Sequence, residues 1–468
     1  MATEINRYKD DQLYAPTPPL EAKKMLFSWA ARKRTGPGGG VNKLLFVDVR
    51  KAYFNAVPMR EVYIKLPAED QEDGMCGLLH RCLYGTRDAA ACWEACYTKA
   101  LASLGFAQGK ASPCCFWNKD RQLKCVVHGD DFIVLGEEVQ LRWFAQSFGK
   151  CFEIKVRGIL GPDNRDEKEI RILNRIVRWT QDGIEYEADQ RHAEIIIKEL
   201  GLEASTSVNT PGMKSVTPKG VPSDPGQRAE SRELSAEMST KYRKIGARAN
   251  YLATDRGDIS YATKEICRDM SNPTESSWAK LKRLGRYLRG VPRLIEFFGE
   301  QETNHMRVYA DSDWAGCIAT RRSTSGGVAM LGSHQLKHWS NTQGVVALSS
   351  AEAELYGIVK AAVQGIGLQS VARDLGEEVT MELCTDSSAA LGVCNRKGLG
   401  KVRHLDTNLL WVQDKIKSKS LVITKIYGEK NPADLFTKYL DHTKMMEFVG
   451  AIGCGFSEGR AVLAPRID

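Results

Sequence analysis

The chain has 468 residues and an ordinary globular composition, 43% hydrophobic and 26% charged, which excludes a wholly disordered or collagen-like protein. At about 100–200 residues per domain, this length predicts about two to four domains. Lys and Arg number 66 against 58 Asp and Glu, a net charge of +8 that permits a polyanionic partner without demanding one. The 13 cysteines lack zinc-ligand spacing, and we expect reduced thiols in a soluble, intracellular chain without a signal peptide or membrane span.

Apolar runs in the first 200 residues predict a sheet with helices on one face, an α+β domain. The stretch up to about Asn42 is rich in Pro and Gly, and only its middle has helical character. The segment AAACWEACYTKALASLGF has helical spacing and ends near Gly105. The β-prone runs are KLLFVDV, EVYIKLP and KCVVHGDDFIVLG, the last interrupted by a Gly-Asp turn typical of a hairpin.

The middle of the chain predicts a flexible linker over 201–240, which is polar and Pro-rich, and a helical connection over 241–300. In its last helix Trp278, Leu281 and Leu288 share an apolar face. A second face carries basic residues at three- and four-residue steps, and it is either a nucleic-acid contact or simply a solvated face. These basic residues are Lys282, Arg286, Arg289 and Arg293.

Residues 301–440 predict a separate α/β domain, because their apolar pattern changes between short strands and longer helices. Three short strands, beginning with MRVYADSDWAG, precede the long helix SAEAELYGIVKAAVQGIGLQSVARDLG. A strand, a helix and the strand LVITKIY follow. We make no prediction for the tail, residues 441–468.

Two groups of carboxylates are candidates for chemistry. In the first, Asp48 lies on or at the end of an apolar strand, and Asp130 and Asp131 lie at the hairpin tip. Carboxylates so close together repel one another, and a cation resolves the repulsion. Such a cluster can hold two Mg²⁺ ions that activate an attacking hydroxyl and stabilise a leaving oxygen. Alternatively, Gly-Asp-Asp is merely a turn and Asp48 ends a strand.

The second group combines two acidic residues that follow strands with two near helix starts. Each alone is commonly a cap or a partner of the helix dipole. Together they could converge on one sheet edge and bind two divalent metals. The four are Asp311, Glu354, Asp386 and Asp434.

An ordered series of about ten motifs across roughly residues 40–440 resembles copia-type retrotransposon Pol polyproteins. FVDVRKAYFNAV, LLHRCLYGTRDAAACW and HGDDFIVLG are similar to the reverse transcriptase of that family, and KRLGRYLRG to its connecting segment. YADSDWAG, HWSNTQGVVALSSAEAELYG, CTDSSAAL and NPADLFTK resemble its ribonuclease H domain. The resemblance implies a partial reverse transcriptase palm and thumb over 1–200, followed after the connection by a ribonuclease H-like mixed sheet with helices.

The resemblance also implies roles for individual residues. Asp48, Asp130 and Asp131 match the polymerase's metal-binding aspartates, and the second group matches the four ribonuclease H carboxylates. Tyr53 matches the aromatic residue under the incoming sugar, although a core aromatic is an equal alternative. Arg87 keeps the charge of a family lysine at the nucleotide site. The remaining assignments are less direct. His404 assists product release, or it is a surface or packing residue. Asp313 and Glu352 are neighbours that we set aside in favour of Asp311 and Glu354.

Two departures from the family affect the expected activity. Only about 47 residues precede Asp48, so we expect an N-terminally truncated fragment that lacks most of the polymerase fingers. Asp88 replaces a neutral amide near the expected triphosphate position, where its charge would repel the ligand. Both departures predict impaired polymerisation.

The resulting hypothesis is a reverse transcriptase and ribonuclease H fragment that uses Mg²⁺ or Mn²⁺, two ions per active site. Its expected partners are RNA–DNA hybrid, template–primer and, weakly, deoxynucleoside triphosphates, in a cytoplasmic particle or the nucleus. A catalytically inactive remnant that only binds nucleic acid is the main alternative. A DDE-type integrase, which also uses carboxylates and two metals, fits the downstream motifs poorly. The sequence leaves the oligomeric state open.

Overall fold

The computed structural model of the protein describes residues 15–32, 40–213, 231–400 and 407–467. The chain forms two compact units, one of Met1–Lys168 with Ser370–Glu378, the other of Glu169–Gln369 with Val379–Asp468. His404, and residues 214–230 of the predicted linker, lie outside the described residues. Within the described ranges, none of the helices combines the length and apolar character needed to span a bilayer.

The first unit is built on a six-stranded antiparallel sheet with the strand order β4-β5-β6-β7-β1-β8. Its strands are β1 (Asn42–Val49), β4 (Ala107–Gln108), β5 (Cys115–Asn118), β6 (Leu123–His128), β7 (Asp131–Glu137) and β8 (Ile154–Leu160). A separate two-stranded hairpin consists of β2 (Tyr63–Ile64) and β3 (Gly77–Leu78). The helices are α1 (Leu20–Ala30), α2 (Ala89–Ser103) and α3 (Glu138–Phe148).

The apolar periods of α2 and the sheet explain the core of this unit. Trp93, Tyr97 and Leu101 recur every four residues along α2 and are almost fully buried. They belong to one apolar cluster with strand residues such as Val127 and Phe132. Helix α2 ends at Ser103, and Gly105 follows in the left-handed region, with φ of +83°, where glycine carries no side-chain penalty. The central strand β1 lies between β7 and β8, which brings Asp48 opposite Asp131.

The second unit begins with an antiparallel sheet of order β18-β12-β11-β10-β9. The strands are β9 (Glu169–Ile172), β10 (Arg175–Trp179), β11 (Gly183–Glu187), β12 (Arg293–Gly299) and β18 (Cys454–Ser457). The accompanying helices are α4 (Arg191–Glu199), α5 (Ala236–Leu252), α6 (Ser260–Arg268), α7 (Glu275–Gly290) and α11 (His442–Ala451). One apolar core joins residues of all five helices with residues of β12, so the C-terminal segment, for which the sequence predicted nothing, is part of this core.

The second sheet of this unit is mixed and has the order β15-β14-β13-β16-β17. Its strands are β13 (His305–Asp313), β14 (Thr324–Leu331), β15 (His334–Thr342), β16 (Thr380–Thr385) and β17 (Val422–Lys425). The helices that accompany it are α8 (Ser350–Asp374), α9 (Ser388–Cys394) and α10 (Trp411–Lys417). Strands β13, β14 and β15 are antiparallel, whereas β13, β16 and β17 run parallel. The carboxyl ends of β13 and β16 therefore meet at one edge.

The predicted basic face of the connection helix is wrong at its last position. Helix α7 ends at Gly290, because Val291 leaves helical geometry and Pro292 cannot continue the helix. Arg293 instead begins β12, where its Nε atom lies 2.6 Å from Oε1 of Glu187. Lys282 and Arg286 do lie on α7, as predicted. The apolar face is confirmed, since Leu281 and Leu288 are buried and Trp278 packs against the same core.

Candidate active sites

A compact cluster of carboxyl groups lies at the edge of the mixed sheet. Oxygen atoms of Asp311, Asp386 and Asp434 all lie within 4.8 Å of one another, and we call these three residues the sheet-edge cluster. Asp311 is in β13, and Asp386 directly follows β16. Asp434 lies in the short 3₁₀ helix Pro432–Phe436. The convergence that the sequence predicted for the second group is thus present in the geometry of three of its members.

Two neutral side chains hold the 3₁₀ helix against the sheet. The fully buried amide of Asn431 donates a 3.0 Å hydrogen bond to the backbone oxygen of Ala310, and its own side-chain oxygen accepts from the backbone N–H of Ala433. The hydroxyl of Thr437 donates to Oδ2 of Asp311. These contacts bring Asp434 to the end of β13, which explains how residues more than a hundred positions apart form one cluster.

Glu354 is the fourth predicted carboxylate, and it lies in the first turns of α8, 93% buried. Its Oε2 atom is buried without a hydrogen-bond partner. Burial, followed by the negative charges of Asp311 and Asp386, raises the pKa of Glu354 to about 9. A nearby cation would stabilise the ionised form of this carboxyl group, because it would offset both the desolvation and the repulsion.

Burial and mutual repulsion also raise the pKa values of two aspartates in the sheet-edge cluster. Burial, with the charge of Asp311, raises the pKa of Asp434 to about 7. The same two causes raise the pKa of Asp386 above its ordinary value. Such shifts are common at functional sites, where like charges are held together for chemistry.

The two acidic neighbours that the sequence set aside have other contacts. Asp313 accepts a hydrogen bond from the backbone N–H of Thr324 on the adjacent strand. Glu352 accepts a 2.7 Å hydrogen bond from the backbone N–H of Leu348, and so satisfies a backbone donor just before α8. Both side chains therefore have local structural partners, which agrees with the choice of Asp311 and Glu354 as the site candidates.

Lys438 was missed by the sequence analysis. Its Nζ atom lies 2.7 Å from Oδ1 of Asp434 and 3.5 Å from Oδ2 of Asp311. Burial alone would lower the pKa of Lys438, but the carboxylates of Asp311 and Asp434 outweigh it and raise that pKa. The four-residue step from Asp434 to Lys438 was a visible signal, since such a spacing brings two side chains together on a helical turn.

The three aspartates that the sequence predicted as a metal site in the first unit are Asp48, Asp130 and Asp131. We call them the hairpin site. Asp131 begins β7 rather than lying at the tip, which is formed by Gly129 and Asp130. The backbone oxygen of Asp130 accepts a 2.9 Å hydrogen bond from the N–H of Val49, which fixes the tip beside the end of β1. Burial raises the pKa of Asp131 to about 6, although Arg157 opposes the shift.

Two further residues of the hairpin site were not identified from the sequence. The buried indole of Trp93 donates a 2.8 Å hydrogen bond to the backbone oxygen of Gly129 at the tip. The Nη2 atom of Arg157 lies 2.6 Å from Oδ2 of Asp48 and 3.0 Å from Oδ1 of Asp131. No sequence pattern pointed to Arg157, because a single arginine in a strand usually faces solvent.

The two predicted nucleotide-binding residues, Tyr53 and Arg87, differ in their exposure. Tyr53 is half-buried in the 3₁₀ helix Ala52–Asn55 and packs against the core, with its ring centroid 4.5 Å from that of the exposed Tyr84. Arg87 is exposed. Asp88 is fully buried at the start of α2, 3.6 Å from Nη2 of Arg60, and its repulsion of a triphosphate stays a prediction.

The predicted nucleic-acid-binding residues on α7 differ in their contacts. Lys282 is exposed on α7. Arg286 donates from Nε to the backbone oxygen of Thr206, and Arg289 donates to that of Glu203, each at 2.7 Å. These two arginines thus tie the segment after α4 to α7.

Comparison with known proteins gives relatives over most of the chain. The family described as reverse transcriptase (RNA-dependent DNA polymerase) matches residues 5–162. "Retrovirus-related Pol polyprotein from transposon TNT 1-94" of Nicotiana tabacum is 23% identical over 446 residues, which cover 93% of this chain and 32% of the relative. "Retrovirus-related Pol polyprotein from transposon RE1" of Arabidopsis thaliana is 25% identical over 417 residues, 87% of this chain and 27% of the relative. The chain spans about a third or less of the length of these relatives.

A solved structure supports the fold. The foamy viral protease-reverse transcriptase in complex with RNA/DNA hybrid has a TM-score of 0.50 and 12% identity, and the match covers 91% of this chain and 48% of that one. At this identity the likeness concerns the fold alone. Together with the observed sheets and helices, it confirms the α+β fold class predicted from the sequence.

Proposed function

This chain belongs to the copia-type retrotransposon Pol family, and from that premise we propose that its second unit cleaves the RNA strand of RNA–DNA hybrids with Mg²⁺ or Mn²⁺. The first unit is, in the same proposal, a reverse transcriptase domain with impaired polymerisation. The observation that carries the proposal is the sheet-edge cluster, where three carboxyl groups converge within 4.8 Å at the ends of two parallel strands.

The residues at this edge fit divalent metal. Hard cations such as Mg²⁺ prefer carboxylate oxygens, and the orphaned Oε2 atom of Glu354 supplies a further ligand beside the cluster. Asp311, Asp386, Asp434 and Glu354 would hold two ions. When bound, such a pair of ions activates the attacking water and stabilises the leaving oxygen of the phosphodiester.

The chain's own residues prepare the site for this chemistry. Asn431 and Thr437 orient Asp434 and Asp311, so the ligands do not need to be ordered when a substrate arrives. Burial of Asp311 and Glu354 limits water around the charged groups, which strengthens their electrostatic interactions. Lys438 balances part of the negative charge before any metal is bound.

A hybrid fits as substrate because it has A-like geometry, which proteins recognise through backbones and 2′-hydroxyls rather than through base edges. Lys282, Arg286, Arg289 and Arg293 remain candidates for salt-dependent contacts with the phosphates. Of these, Lys282 and Arg289 are exposed, whereas Arg293 is engaged with Glu187 and is the weakest candidate. Template–primer and deoxynucleoside triphosphates are the proposed ligands of the first unit, with weak binding of the triphosphate.

The test is cleavage of a hybrid whose RNA strand carries a 5′ label. We expect Mg²⁺ and Mn²⁺ to support cutting of that strand, and Ca²⁺ to fail because its looser coordination does not preserve two-metal geometry. Single-stranded RNA and double-stranded DNA of the same sequence should remain intact. Cutting of single-stranded RNA at the same rate, or no cutting of the hybrid with either active metal, would refute the proposal.

A second candidate function is nucleic-acid binding without catalysis, as in an inactive remnant. The basic partners inside both acidic sites, Arg157 and Lys438, favour this candidate, because each already neutralises carboxylates that a metal would need. Binding of the hybrid in a gel-shift assay, combined with intact RNA in saturating Mn²⁺, is the result that would support it over the first.

A further inference from the structure

The guanidinium of Arg157 bridges the two less exposed carboxylates of the hairpin site. Its Nη2 atom lies 2.6 Å from Asp48 and 3.0 Å from Asp131, on opposing residues of the paired strands β1 and β7. The side chains of Asp48 and Asp131 are only 24% and 10% exposed, so this is a partly desolvated ion pair. The arginine side chain itself is 31% exposed, so part of it is in contact with solvent.

A local irregularity in β8 positions this arginine. In the pairing of β8 with β1, Gly158 faces Phe46 and Val156 faces Val47, so Arg157 is the extra residue of a β-bulge. Bulges interrupt pairing and commonly re-aim a side chain beside an active site. The contact therefore follows from the backbone of the sheet, and it does not depend on a chance rotamer of a surface arginine.

The two acidic sites differ in how their carboxylates are arranged. Among the described residues, only two groups of three acidic side chains have oxygens within 4.8 Å of one another: the sheet-edge cluster, and Glu138 with Asp163 and Asp166. In the second of these groups, Lys43 contacts all three carboxylates within 3.0 Å. The hairpin site is not among these groups, although Asp48 and Asp131 face each other across the sheet.

We propose that Arg157 is a built-in competitor for divalent metal at the hairpin site, so that metal binds there only after the guanidinium leaves Asp48 and Asp131. The inference rests on the proposed assignment of these aspartates as the polymerase metal ligands. An ion that binds only the unpaired form has an apparent dissociation constant raised by the inverse of that form's population. Arginine stays charged throughout the working pH range, and pH does not relieve the competition.

The experiment measures Mn²⁺ affinity by the electron paramagnetic resonance signal of free Mn²⁺, using the full chain. All proteins carry Asp386→Asn, which weakens Mn²⁺ binding at the sheet-edge cluster. Differences in Mn²⁺ affinity between the variants then report mainly on the hairpin site. Arg157→Leu removes the guanidinium, and Arg157→Gln does so with a polar side chain in case the first variant folds poorly. Arg50→Leu is the matched control, because it breaks an exposed arginine–carboxylate pair with Glu153 outside the Asp48–Asp131 pair.

We expect the Arg157 variants to bind one class of Mn²⁺ sites about tenfold more tightly or better, a change of about 1.4 kcal/mol. The Arg50 variant should bind as the parent does, and addition of Asp48→Asn to Arg157→Leu should remove the gain. Equal affinity in the parent and both Arg157 variants would overturn the proposal, as would a gain that survives Asp48→Asn. Primer extension is scored separately: tighter metal binding without any extension would count against the polymerase assignment and not against the competition.

Discussion

The Nζ atom of Lys438 lies 2.7 Å from Oδ1 of Asp434, four residues earlier, and 3.5 Å from Oδ2 of Asp311 on the central strand. The sheet-edge cluster therefore holds its own counter-ion. Without this ammonium group, three carboxylates and the nearby Glu354 would repel one another in a partly buried site.

Replacement of this counter-ion should make the protein more dependent on metal. In Lys438→Met we expect a lower thermal midpoint without metal, by a few degrees for a loss of about 1–2 kcal/mol, and a larger increase on addition of Mg²⁺. Differential scanning fluorimetry with and without Mg²⁺ measures both. Lys425→Met, an exposed lysine at the end of β17, is the control and should show neither effect. The same Mg²⁺ response in the two variants would contradict the counter-ion role.

The neighbouring glutamates of α8 should behave differently. Glu354→Gln should abolish hybrid cleavage, because it removes a carboxylate beside the cluster, and should leave the thermal midpoint unchanged or raised. Glu352→Ala should retain cleavage but lose about 1 kcal/mol of stability, the usual value of a lost helix N-terminal contact. Urea denaturation and the labelled-hybrid assay separate the two outcomes. Loss of cleavage in Glu352→Ala with full activity in Glu354→Gln would show that the ligand is assigned to the wrong residue.

The stability of the metal-free protein should depend on pH in a defined direction. The pKa is raised to about 7 for Asp434 and to about 9 for Glu354, so the folded state holds these protons more tightly than the unfolded state does. Their stabilising contribution is complete below about pH 4 and is lost as the pH rises through these two values. The increase in thermal midpoint caused by Mg²⁺ should therefore grow between about pH 6 and about pH 9. An increase that is constant over this range would contradict the account.

Individual residues show which parts of the two sites could be predicted from the sequence and which could not. Asp311 and Asp386 were identified because each follows an apolar run in the sequence, and the parallel pairing of β13 with β16 then brings them together. Arg157 was not identified, because a bulge depends on the partner strand and leaves no pattern in its own. Strand β8 has only one buried residue, Leu160, and so lacks the alternation that reveals a half-buried strand. Arg293 was wrongly assigned to the basic face of α7 because it continues the spacing beyond Pro292.

The shared core of the second unit should hold the protein together after proteolysis within residues 214–230. Ile196, Leu200 and Leu202 share one buried cluster with Tyr242 and Leu288, on the other side of residues 214–230. A specific protease site inserted between Val221 and Pro222 should therefore give two pieces that remain associated after cutting. Size-exclusion chromatography should show co-elution, and Ile196→Ala, at a cost of about 2–5 kcal/mol, should weaken it. Separate elution of the two pieces would contradict this shared core.

The most direct test of the account compares the wild-type chain with Asp386→Asn on a labelled RNA–DNA hybrid in Mg²⁺. Mutation of a residue that only supports a metal ligand typically lowers metal affinity or activity by about 10–100-fold. Loss of a ligand itself should therefore slow cleavage by at least about 100-fold. The thermal midpoint of the variant should stay the same or rise, because a repelling carboxylate is gone. Cleavage of the RNA strand by the wild type alone is the predicted result, and cleavage at equal rates by both proteins would contradict the assignment of the sheet-edge cluster as the active site.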